Sequence, residues 1–201
     1  MKILPLLTGR ISYDLLQHGK EIDEAIAHGN VLLNHSTPAL ERYFSRPLSE
    51  LPGQNPYPVA MLLPLFLAVF AFNMLPFLKA ISSMSPALHA LSFFAPSIAI
   101  LIYLISTSTL LARGYTSGLS GLLALFIFLL AVTMLQWIYY LFTSDGSSWQ
   151  LLIATIAMVI IRWLLNSQGF ALFTLYCRTK RLAALAHKMR LKSSKDNVRI
   201  P

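Results

Sequence analysis

Four stretches of this chain are each apolar for about twenty residues or more: Pro58 to Leu78, Leu91 to Ala112, Ser117 to Phe142 and Trp149 to Tyr176. A hydrocarbon layer about 30 Å thick needs roughly 20 such residues as a helix. Inside lipid every backbone N–H and C=O must pair within the protein, so a run of this kind is helical. The sequence therefore predicts an all-α integral membrane protein with four transmembrane helices. Composition agrees: 56% of residues are hydrophobic and 12% charged, where a soluble domain has about 25% charged. The last two runs exceed the minimum and must tilt or extend beyond the hydrocarbon. Pro64, Pro76 and Pro96 predict kinks, which membrane helices tolerate when neighbours satisfy the freed carbonyls.

The formal charge of +8 is unevenly placed. From Met1 to Tyr57 five basic residues oppose six acidic ones, whereas from Arg178 to Pro201 eight oppose one. The connection "TSDGSS" before the fourth run carries only Asp145. Basic flanks stay in the cytoplasm, so the tail is expected inside and that connection outside. Four spans then return the N-terminus to the cytoplasm, with Arg113 inside and Lys79 outside. Trp137, Tyr139, Tyr140 and Trp149 collect at the predicted outer boundary, and Tyr57, Tyr115 and Tyr176 at the inner one. Aromatic belts have this distribution.

Three regions follow: a cytoplasmic or interfacial helical region with a Pro-rich linker (1–57), a four-helix membrane domain (58–176) and a basic cytoplasmic tail (177–201). In the first, Ile11, Leu15, Ile22 and Ile26 recur at helical spacing and predict an amphipathic helix ending near Gly29 and Asn30. A second short helix is expected to start at "STPALERYF", with Thr37 as cap and Pro38 in the first position. The opening "MKILPLLTGR" has too short an apolar run for a cleaved signal, so the first long run is read as a retained anchor.

In the tail, Leu182, Leu185 and Met189 form an apolar stripe on a predicted helix. Arg178, Lys180, Arg181, Lys188, Arg190 and Lys192 surround it as candidate contacts for anionic lipid or a partner. No aromatic residue is interleaved among them as a stacking platform, so nucleic acid is not the expected partner. Cys177, the single cysteine, excludes an internal disulfide and reads as a residue of the membrane interface.

No phosphate-binding glycine loop, zinc-ligand pair or nucleophile elbow is present. Asp14 with His18, and Glu24 with His28, have i,i+4 spacing. With His35 they read as solvated helix polarity, and neither a metal nor any other cofactor is expected. Gly114 with Gly118, and Ser117 with Gly121, have the small-residue spacing that lets membrane helices approach closely, at a position where a tight turn also favours glycine.

Arg162 is the sharpest feature. An unbroken helix from Trp149 to Tyr176 would put it deep in the bilayer, where arginine costs about 2.5–3.5 kcal/mol and normally faces a bundle interior, a cavity or a partner. None of the eight acidic residues lies in a predicted span. Asn73, Gln136 and Asn166 are the intramembrane polar residues that could join it. A counter-ion would otherwise come from a protein partner, self-association, a lipid phosphate or an anionic solute.

These features point to a non-enzymatic membrane protein, a subunit or modulator of a larger assembly comparable in form to small immunity, exclusion or secretion-accessory proteins. A small oligomeric transporter or channel is the alternative, and a membrane-embedded lipid-modifying enzyme is less favoured because the spans carry no acidic residue or histidine for proton transfer. The bacterial inner membrane is the expected location.

Overall fold

A computed structural model describes residues 3–27, 37–44, 56–80, 85–143 and 149–198. Among these residues 94% are helical and none lies in a strand. The helices are α1 (Ile3–Thr8), α2 (Arg10–Ala27), α3 (Pro38–Phe44), α4 (Tyr57–Ala80), α5 (Pro86–Ala112), α6 (Thr116–Thr143), α7 (Trp149–Leu165) and α8 (Gln168–Val198). His28, Gly29, Asn30, His35 and Asp145 lie outside the described residues.

Helices α4, α5 and α6 are each long and apolar enough to cross a membrane. The expected fourth span is not one straight helix. α7 and α8 form a pair bent by 52°, which can count as one broken span. The cause is local. The Ser167 N–H reaches the Leu164 carbonyl at 3.0 Å, tightening the end of α7. The Ser167 hydroxyl then accepts the Phe170 N–H at 3.2 Å, capping the new helix. The basic tail is the continuation of α8, not a separate element.

α4 packs along α7, and α5 along α6. Buried Leu62, Phe66 and Val69 of α4 join Leu122, Phe126 and Leu129 of α6 and Met158, Ile161 and Leu165 of α7 in one core. In lipid, apolar burial adds little drive, because the tails are as apolar as leucine. Close approach and hydrogen bonds therefore decide which helices touch. At the α5–α6 turn, Gly114 has φ 78°, and the Tyr115 and Gly114 N–H groups return to Leu110 and Leu111, a glycine-terminated helix end. A Cβ on Gly118 would collide with the backbone of Leu111, and one on Gly121 would lie 2.5 Å from the Thr107 methyl. Both glycines thus occupy the α5–α6 contact, while Gly114 occupies the turn.

Polar side chains tie the other helices. Asn73 Nδ2 donates to Thr133 Oγ1 at 3.0 Å, and Gln136 Nε2 donates to the Asn73 carbonyl at 2.7 Å. That carbonyl lies three residues before Pro76, where the proline disturbs the helix ladder. Trp137 Nε1 donates to Thr155 at 2.9 Å, joining α6 to α7.

Of the predicted stripe Leu15 is buried, Ile22 and Ile26 are half-buried and Ile11 is exposed; the buried face is completed by Ser12, Leu16 and Gly19. Leu15 and Leu16 join the core, and polar contacts that an apolar periodicity does not register turn the face by a few residues. In α3, Thr37 Oγ1 accepts the Leu40 N–H at 3.3 Å, and Phe44 meets Tyr176 edge-on with centroids 5.4 Å apart.

Candidate functional site at the helix break

The break between α7 and α8 is where the N-terminal helices dock. α1 ends at Thr8 with carbonyls that no intrahelical donor reaches. The Leu6 carbonyl accepts from an Arg162 Nη at 2.8 Å, and the Thr8 carbonyl from Asn166 Nδ2 at 2.7 Å. A basic side chain at a helix C-terminus also suits the helix dipole. Asn166 Oδ1 accepts the Ser12 N–H at 3.4 Å, so one amide clasps the end of α1 and caps the start of α2. Ser12 Oγ donates in turn to the Leu165 carbonyl at 2.8 Å. Gly9, at φ 92° between the two helices, sits so close that a Cβ would overlap the Asn166 side chain.

Arg162 stands in the last turn of α7, exposed on the chain's own surface and not enclosed among its helices. Its hydrogen bond is to a carbonyl of the same chain, which leaves the charge without a counter-ion in that contact. Arg162, Asn166, Arg10, Ile11, Val159 and Trp163 line an open groove of about 440 Å³ with Gly9 at its floor. Asn73 and Gln136 are not part of it. They stand together near the other end of α6, and Gln136 Oε1 is buried without a partner.

The buried arginine is Arg178. It is 2% exposed, and an Nη donates to the Leu15 carbonyl at 2.6 Å. Its Nε and other Nη are buried without partners. This corrects the expectation that Arg178 faces lipid or a partner: it turns inward because Gly19 leaves room for it. A Cβ on Gly19 would stand 2.5 Å from the Arg178 Nη2 and 2.6 Å from Thr116 Oγ1. Arg181 is likewise engaged, donating to Asp23 at 2.7 Å and to the Gly114 carbonyl at 3.2 Å, with its guanidinium 3.9 Å above the Tyr115 ring. The turn itself presses on α8, since a Cβ on Gly114 would be 2.5 Å from the Cys177 carbonyl. Lys188 and Lys192 are exposed, Lys180 and Arg190 half-buried.

Among the described residues no group of three or more His, Cys, Asp or Glu could hold a metal ion. The signal for the helix break was present as "NSQG", residues 166–169, where Ser precedes three residues that can open a helix and Gly169 packs within 3.2 Å of Pro58 for a built Cβ. Arg178 carried no comparable signal, since in sequence it is one basic residue of eight.

Compared with protein families, curated proteins and solved structures, the chain matches none. Its own geometry is what bears on function.

Proposed function

We propose that this chain is a non-enzymatic membrane protein that serves as a subunit or modulator of a larger membrane assembly. In this reading it crosses the bacterial inner membrane four times with both termini in the cytoplasm, the tail end of α8 lying at the basic, cytoplasmic side. The observation that carries the proposal is α5. Of its most apolar stretch 6% is buried within the chain, against 44% for α6. Only Leu104, Thr107 and Leu111 are buried. Leu91, Phe94, Ile98, Ile102 and Ile105 are exposed and recur every three or four residues, forming one face.

Lipid can cover such a face, and so can a helix of a partner protein, which packs closely against a contiguous apolar surface. The polar groups of the spans support the same reading, because Asn73, Thr133, Gln136, Trp137 and Thr155 are engaged in joining helices.

The test is photo-crosslinking in the native cell from positions 94, 98 and 102 of α5, with positions 156 and 159 of α7 as the lipid-facing comparison. A different protein captured from α5 and not from α7 is the expected result. Capture of a second copy would move the reading to an oligomeric transporter or channel. Lipid adducts alone from both helices would overturn the proposal.

A further inference from the structure

The groove at the helix break joins two kinds of surface that rarely meet in one place by accident. Leu152, Ile156, Val159 and Trp163 are 49%, 59%, 64% and 70% exposed, and their spacing of four, three and four residues makes them one stripe along α7. The stripe runs directly into the groove, whose lining includes Val159 and Trp163. There it meets two guanidinium groups, Arg162 from α7 and Arg10 from the first turn of α2.

We infer that this groove binds the phosphate-bearing headgroup of an anionic phospholipid, with the acyl chains lying on the α7 stripe. Trp163 is about 21 Å along α7 from Trp149 at 1.5 Å per residue, so the two tryptophans stand toward opposite boundaries of the hydrocarbon, where tryptophan concentrates. Exposed Leu6 and Ile11, at 72% and 38%, give the adjoining N-terminal helices an apolar outer surface at the same level. Arg162 is held by the Leu6 carbonyl at 2.8 Å, an acceptor without net charge that orients the guanidinium. Among the described residues Arg10 pairs with Asp14, and the pair is loose: 3.9 Å apart, with the side chains 93% and 66% exposed. One guanidinium held in place, a second exposed one beside it and a contiguous apolar track fit a ligand with an anionic head and an apolar tail.

A soluble phosphate shares the headgroup chemistry, so the experiment separates the two sources. The full chain, purified in neutral detergent, is titrated with phosphatidylglycerol, with phosphatidylcholine of the same chains, and with inorganic phosphate, and bound lipid is counted by native mass spectrometry. One phosphatidylglycerol is expected to bind more tightly than its phosphatidylcholine counterpart, with inorganic phosphate unable to displace it at equal concentration. Arg10→Gln and Arg162→Gln should each weaken it about fivefold, the effect of one nearby basic residue. Arg10 is the safer variant, because its side chain is almost fully exposed and its removal leaves the fold intact. Lys188→Gln with Lys192→Gln, on the distant tail, should leave this binding unchanged. Unaltered phosphatidylglycerol binding in both arginine variants would overturn the inference, as would equal binding of phosphatidylcholine or loss of the site in the tail variant. Displacement by inorganic phosphate would overturn the lipid assignment.

Discussion

Replacing Gly9 by alanine tests the docking of the N-terminal helices most directly. Gly9 has φ 92°, and an L-residue in the left-handed region costs about 1–2 kcal/mol. The added methyl also overlaps Asn166, which must leave both the Thr8 carbonyl and the Ser12 N–H. Two hydrogen bonds at about 1 kcal/mol each bring the expected loss to roughly 3–4 kcal/mol. Asn166→Ala alone loses these two bonds and its bond to the Arg162 carbonyl, about 3 kcal/mol in all. In the double variant the clash has nothing left to displace, so the combined loss should exceed that of Gly9→Ala only by the Arg162 bond and fall about 2 kcal/mol short of the sum. Hydrogen exchange of the amides in residues 10–16 measures the opening directly, with the α6 amides as an internal reference expected to stay protected. Wild-type protection in Gly9→Ala, or strict additivity in the double variant, would refute the clasp.

Gly19→Ala should also loosen α2, despite the gain of about 1 kcal/mol in helix propensity, because the methyl meets the fixed Arg178 guanidinium at 2.5 Å; protease cleavage within α2 should accelerate. Gly118→Leu should separate α5 from α6, since even a Cβ there reaches the Leu111 backbone, and detergent unfolding should shift to lower temperature by more than for any substitution on the exposed α5 face. Gln136→Leu removes the 2.7 Å bond to Asn73 but also the unpartnered Oε1. Its cost should therefore stay near the average of about 0.6 kcal/mol for hydrogen bonds between membrane helices, measured by unfolding in mixed micelles.

Several elements were legible along the chain. Run length announced three helices able to cross a membrane, because transfer of a helix into hydrocarbon depends on the summed polarity of consecutive residues. Thr37 and Pro38 marked the start of α3, since capping involves neighbours only. The break in the fourth run was written in "NSQG" but was outweighed by the apolar residues around it, so the run reads as one straight helix where the structure has two, bent by 52°.

Which arginine is buried was not written locally. Arg162 and Arg178 look alike as single charges near apolar sequence. The tertiary structure decides between them through the Leu6 carbonyl for one and the Leu15 carbonyl and the missing side chain of Gly19 for the other. The amino-acid order by itself determined that the chain is helical and suited to a membrane, a property of each segment and its solvent. Where α1 and α2 lie, which guanidinium is enclosed and which opens onto a groove depend on partners about 155 residues or more apart in sequence. Those contacts exist only once the distant segments have packed together, and no periodicity within one segment carries that information.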